Sequence, residues 1–236
     1  MENLERNKQD LIASVGKSVL GSVPCMGPFL AELWGEVVPN QRIDRLIKYV
    51  RVLKDKISHI PEEIIDRLKT DESFIDLIEE GFIQASRAIT DERRGYIASI
   101  LANGITDDSL ALEESKYLLK LLQEINDVEV IWLKYYKSLS KGGDEELEEK
   151  HKNILSPVRV SITSPIDKET KQKAALQDSY KMHLERLGFI KNRIKIDSET
   201  RMPEVDRFIG VPKVHSKSIT ELGNMLLKQI GIDSED

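Results

Sequence analysis

At 236 residues, with 40% hydrophobic and 32% charged side chains, the chain has a globular composition and enough length for two domains of ordinary size. Its single cysteine, Cys25, excludes an internal disulfide and a cysteine-based zinc cluster. The net charge of −6 is unevenly spread. Residues 1–150 carry 20 Lys+Arg against 29 Asp+Glu and residues 151–236 carry 15 against 12, so a polyanion would have to bind in the C-terminal part.

The start, "MENLERNKQD", is polar and lacks the basic n-region of a secretory leader, so the expected location is the cytoplasm. Residues 3–22 read as a helix with Leu11, Ile12, Val15, Val19 and Leu20 on one side, broken by Pro24 and Gly27-Pro28. Pro28 opens a second helix, with Phe29, Leu30, Leu33, Trp34 and Val37, that stops at Pro39. Asn40 is placed to cap a third, where Ile43, Leu46, Ile47, Val50, Leu53 and Ile57 follow the helical period. A short helix opens at Pro61. The next, around "DESFIDLIEEGFIQASRAI", turns Phe74, Leu77, Ile78, Phe82, Ala85 and Ile89 inward. Thr90 caps "DERRGYIASILANG", and Asn103-Gly104 suits a left-handed C-terminal cap. Two further helices, "SLALEESKYLLKLLQEI" and "DVEVIWLKYYKSL", end at the exposed loop "SKGGDEE".

After residue 155 the pattern changes. "LSPVRVSITSPI" is extended and punctuated by proline. "DKETKQKAALQDSYKMHLERLG" is a long helix with Ala175, Leu176, Tyr180, Leu184 and Leu187 inward, closed by Gly188. "FIKNRIKID" alternates, a polar turn around "SETRMPE" leads to "VPKVHSKSIT", and Thr220 caps a final helix. The predicted fold is mainly α: an N-terminal helical bundle over 1–106 and a winged-helix-like domain over 107–236, which includes the 140–166 connection and a small β-hairpin. No repeat of solenoid length is apparent.

Candidate sites are few. "GKS" at 16–18 is the tail of a phosphate loop without its head, because the glycine that motif needs five residues before Gly16 is Leu11. His59, His151, His183 and His215 are scattered without metal-ligand spacing, and Cys25 has no partner in sequence for a nucleophile–base pair. "DKETK" and "DSETR" mimic a nuclease pattern but sit in charged surface stretches. No catalytic residue, metal or cofactor is expected. Trp132 and Tyr135 share a helix face with Val128 and Leu139 and read as core, which leaves Tyr136 for the surface. Among Lys168, Lys171, Lys173, Lys181, Arg186, Lys191, Arg193 and Lys195, the cations singled out for a nucleic acid are Lys181, Arg186, Lys191, Arg193 and Lys195.

The apolar stretch 18–41 is interrupted by Lys17 just before it and by Pro24, Pro28, Glu32 and Glu36 within it, so it is not read as a membrane span. Gly27, Ala31 and Gly35 instead form a small-residue face for close helix packing in a buried hairpin.

"SVPCMGPFLAELWGEVVPNQRIDRL" and "FIDLIEEGFIQASRAITDERRGYIASILANGIT" resemble the entry segment and following helix pair of uncharacterised bacterial proteins of the abortive-infection alpha type. The ending "HLERLGFI…SITELGNMLLKQI" is similar to bacterial winged helices. The likeness rests on structural glycines, prolines and caps; it implies a bacterial, anti-phage role and brings no catalytic residues. The charged 140–170 connection departs from that group. The expected function is a non-enzymatic interaction protein, a sensor or adaptor in abortive-infection defence with a protein partner. A DNA-binding winged-helix regulator is the alternative. An effector whose N-terminal hairpin perturbs membranes, though not inserted at rest, is the second. The sequence leaves the oligomeric state open, a homo-oligomer included.

Overall fold

The computed structural model describes residues 40–68, 70–106, 112–157, 167–206 and 210–232. Among the described residues are ten helices and one two-stranded antiparallel sheet, which agrees with a mainly helical chain carrying a small hairpin. The helices expected over 3–22 and 28–38 lie outside them, as do Cys25, Gly27, Ala31 and Gly35. Two compact units emerge. One comprises the described residues up to Glu124 together with those from Lys228 on; the other spans Ile125–Leu227.

The first unit packs α1 (Asn40–Ile57), α3 (Glu72–Arg87), α4 (Asp91–Thr106) and α5 (Leu112–Glu124) against one another, with the short α2 (Glu62–Leu68) between α1 and α3 in sequence. In α1 the residues Ile43, Leu46, Ile47, Val50, Leu53 and Ile57 are all buried, as their spacing predicts. Asp71 caps α3 by accepting from the backbone N–H groups of Ser73 (2.8 Å) and Phe74 (3.1 Å). The Tyr49 and Phe82 rings meet edge-to-face at 5.2 Å in the centre of this core.

Two expectations fail here. Ile89 does not face in but is 79% exposed. Helix α3 stops at Arg87, the Ala88 backbone is extended, and the buried Arg94 guanidinium holds the Ala88 carbonyl at 2.6 Å, which swings the next residue off the helix face. Asn103-Gly104 does not end α4, which runs on to Thr106. A Cβ at position 104 would lie 2.7 Å from Ser115 Oγ, and Asn103 Nδ2 donates to the Gln229 carbonyl at 3.1 Å. These residues serve contacts, not a cap.

In the second unit, α6 (Asp127–Leu139) begins with a reciprocal cap: Asn126 Oδ1 accepts from Glu129 N (2.9 Å), and Glu129 Oε2 accepts from Asn126 N (2.8 Å). Its buried side is Glu129, Val130, Trp132, Leu133 and Tyr136. The expected assignment is therefore corrected: Tyr136 is core, Val128 and Tyr135 are half-buried and Leu139 is exposed. Both stripes share Trp132. Packing of α9 and the hairpin against α6 selects the one a residue away.

Short helices α7 (Glu145–Lys150) and α8 (Lys152–Leu155) occupy the charged connection. Asp167 caps α9 (Lys168–Arg186), accepting from Thr170 N at 2.8 Å. Leu184 is buried, but Ala175 and Leu176 are exposed, Leu176 by 55%, contrary to expectation. The inward residue of that turn is polar: Gln177 Nε2 donates to the carbonyls of Ile154 (2.7 Å) and Ser156 (3.0 Å) and so turns the apolar pair outward. The helix ends as predicted at Gly188 (φ 79°), with Phe189 N bonded to Leu184 O and Gly188 N to Glu185 O.

Strands β1 (Ile190–Ile194) and β2 (Val214–Ile219) pair with Ile190 opposite Ile219, Lys191 opposite Ser218, Asn192 opposite Lys217 and Arg193 opposite Ser216. Ile194 then pairs with Val214, which leaves His215 as the extra residue of a bulge on β2. Thr220 caps the last helix, α10 (Glu221–Gln229), accepting from Gly223 N at 3.2 Å.

The long connection inside the hairpin is built on a nine-residue repeat, "IKIDSETRM", "PEVDRFIGV", "PKVHSKSIT", beginning at 194, 203 and 212. Equivalent residues close a ring of backbone hydrogen bonds, each 2.8 Å: Lys195 N to Lys213 O, Lys213 N to Glu204 O and Glu204 N to Lys195 O. The described residues of the first two repeats make equivalent bonds. Asp197 N bonds to Met202 O and Arg201 N to Asp197 O; nine residues on, Asp206 N bonds to Val211 O and Gly210 N to Asp206 O. Both turns need a left-handed residue, supplied by Gly210 (φ 67°) and, against its preference, by Arg201 (φ 59°). Replacing Arg201 by Gly should therefore stabilise the chain, by up to about 1 kcal/mol, through relief of left-handed strain. A lower urea midpoint for the variant would refute this.

Candidate functional site

The hairpin carries the chemistry of the second unit, and strand alternation gives it two sides. On one side Asn192 and Lys217 face α9: Asn192 bonds the Glu185 carboxylate, and Lys217 Nζ lies 2.5 Å from Glu185 Oε2 and 2.6 Å from Asn192 Oδ1. The same side continues outward through Ile194, Ile196, Pro203, Val205, Pro212 and Val214. Ile196 pairs with Pro203 and Val205 with Pro212 in isolated bridges, and the four β-branched residues are 44–51% exposed. On the other side stand Lys191, Arg193 and Lys195, with Ser216 opposite Arg193 and with Lys213 and Glu204 beside Lys195. Glu204 is shared by Lys195 Nζ (2.9 Å) and Lys213 Nζ (3.6 Å), and these cations hold its carboxyl below the ordinary carboxylate value.

Of the five cations singled out from the sequence, Lys191, Arg193 and Lys195 thus share one surface. Lys181 does not join them. It lies 4.7 Å over the Trp132 ring and 3.9 Å from Asp178, committed to the α6–α9 contact. Arg186 is exposed at the end of α9. Lys168, Lys171 and Lys173 are exposed on the first half of that helix. Sequence reasoning missed Lys213 and the apolar side; the nine-residue repeat, with its apolar residues flanking Lys195, Glu204 and Lys213, was the signal for both.

The nuclease-like strings are used structurally. Asp167 caps α9, and Asp197 folds its turn by accepting from Glu199 N (3.0 Å), Thr200 N (2.7 Å) and Thr200 Oγ1 (3.0 Å). The bonds from Thr200 and Glu199 lower the Asp197 pKa from 3.8. Its stabilising effect is therefore full above the unfolded value and is lost as pH falls through the folded one. The stability gap between parent and Asp197→Ala should stay constant from pH 7 to pH 5 and shrink on further acidification; a gap that widens in acid would contradict this assignment.

The buried Glu129 carboxylate also lies 2.6 Å, through Oε1, from His183 Nδ1 and so joins α6 to α9. An open cleft of about 670 Å³ is lined by Tyr135, Glu145, Glu146, Glu148, Glu149 and Lys152 among others. Burial, and then the Glu148 charge, raise the Tyr135 pKa. Burial, followed by the Lys150 and Lys134 charges, lowers that of His151. Among the described residues no cluster of His, Cys, Asp and Glu suits a metal ion, and no helix is long and apolar enough to cross a membrane. No family model, curated protein or solved structure matches the chain.

Proposed function

We propose that the chain is a non-enzymatic interaction protein, a sensor or adaptor of bacterial anti-phage defence, working in the cytoplasm through contacts of its C-terminal unit. The observation that carries this reading is the apolar side of the hairpin. Ile194, Ile196, Val205 and Val214, held in place by a closed ring of backbone bonds, form an exposed apolar surface of the kind a protein partner covers. The sequence of helices α6 and α9, hairpin and α10 supports a winged-helix-like arrangement. The glycine, proline and cap pattern quoted above supports an affiliation with the abortive-infection alpha type. Asp167 and Asp197, the leading carboxylates of the nuclease-like strings, are engaged in a helix cap and a turn, which favours binding over catalysis.

Site-specific photo-cross-linking in a bacterial host tests this. A probe at Ile196 and one at Val205 should each capture the same protein, in nuclease-treated extracts, while a probe at the exposed Glu63 of α2 captures none of it. Protein adducts at Glu63 but not at the hairpin would reject the reading.

A further inference from the structure

We propose that the opposite side of the hairpin, formed by Lys191, Arg193, Lys195 and Lys213, binds the phosphate backbone of a nucleic acid, independently of the apolar side. Among the described residues, two of the four cations pair with Glu204, and Lys195 also lies within reach of the Asp197 charge. Lys191 and Arg193 are exposed and enter no ion pair among the described residues, while Lys195 and Lys213 share the Glu204 carboxylate and Lys195 also acts on Asp197. Alternate residues of one strand set Lys191, Arg193 and Lys195 in a row at intervals of about 7 Å. The row is rigid, because Lys191 and Arg193 are paired across to Ser218 and Ser216 while Lys195 sits in the backbone ring. The exposed Ser216, opposite Arg193, adds a hydroxyl donor of the sort that bonds phosphate oxygens. A regularly spaced row of cations fits a regularly spaced polyanion. It offers nothing to read base edges, so the binding is independent of sequence. The chain's overall charge of −6 confines such binding to this patch and makes it weak at high salt.

The probe is a fluorescein-labelled random 20-base-pair duplex, titrated with the full chain and followed by anisotropy from 50 to 300 mM NaCl. Four neutralised phosphates predict a log–log salt slope of about −3.6. Lys191→Glu with Arg193→Glu should cost at least tenfold in affinity at 50 mM; the milder pair Lys191→Gln with Arg193→Gln should bring the slope to about −1.8. Glu204→Gln, which frees Lys195 and Lys213, should tighten binding several-fold, an outcome that damage to the fold would not produce. Ile194→Ser with Val214→Ser, on the other side, should leave duplex affinity unchanged while abolishing the protein cross-link from the probes at Ile196 and Val205, so this inference and the adaptor reading fail separately. Absence of binding at 50 mM, equal binding by the Lys191/Arg193 variants, or weakening by Glu204→Gln would overturn the proposal. Competition by poly-glutamate as effective, charge for charge, as unlabelled duplex would overturn it in favour of an acidic protein partner.

Discussion

Gly223→Ala is expected to destabilise the second unit by about 3 kcal/mol, the upper part of the usual range for forcing bulk into a packed site. Position 223 lies in the first turn of α10, where alanine would ordinarily be preferred to glycine by about 1 kcal/mol. Sterics reverse that preference. A Cβ there would stand 2.5 Å from the Phe189 carbonyl oxygen and 2.7 Å from Ile219 Cγ1. The Phe189 oxygen cannot simply move aside, because it accepts both Thr220 N (2.9 Å) and Thr220 Oγ1 (3.1 Å), the bonds that fix the start of α10 beside the end of α9. Gly95→Ala in α4 supplies the contrast. Its Cβ would meet nothing within 4 Å, so propensity decides and a gain of about 0.5–1 kcal/mol is expected. Urea midpoints of the two variants should move in opposite directions. An unchanged or raised midpoint for Gly223→Ala would mean that the close approach of α10 to Phe189 is wrong.

Glu129→Ala is expected to cost about 2–3 kcal/mol, because one buried carboxylate serves two partners. Removing it strips the cap from Asn126 N and leaves His183 Nδ1 without its acceptor. Glu129→Gln should cost clearly less, since its amide oxygen can still accept from Asn126 N and only the His183 contact is compromised. Thermal melts of the two variants beside the parent check the order. Equal losses would place the whole effect at His183, and equal neutrality would mean that α6 and α9 are held by apolar packing alone.

Glu129 also shows where sequence reading stops. Three residues after Asn126, it is legible as half of a capping box, and the local pattern requires nothing more. Its second oxygen is committed to a histidine 54 positions away, which no local pattern encodes. The hairpin is similar. Alternation in "FIKNRIKID" located β1 and placed Lys191, Arg193 and Lys195 together, because strand geometry is local. Whether a cation stays available depends on its neighbours in space: Lys181 is drawn onto Trp132, while Lys213, unremarkable in sequence, is brought beside Lys195 by the backbone ring.

By itself the sequence determined the helical character of the chain, the caps at Thr90 and Thr220, the stop at Gly188 and the buried stripe of α1. Each follows from backbone preferences and from apolar residues recurring within a turn or two. The tertiary structure alone decided which of two stripes sharing Trp132 is buried, why Ile89 and Leu176 face outward, and why Asn103-Gly104 lies inside a helix. In each case a distant group competes with the local signal and prevails: the hairpin and α9 against Tyr136, the Arg94 guanidinium on the Ala88 carbonyl, the Ile154 and Ser156 carbonyls on Gln177, and Ser115 against Gly104. A buried polar group left without a partner costs more than an apolar residue left in water. The polar contacts therefore set the orientation, and the exposed apolar residues follow from it.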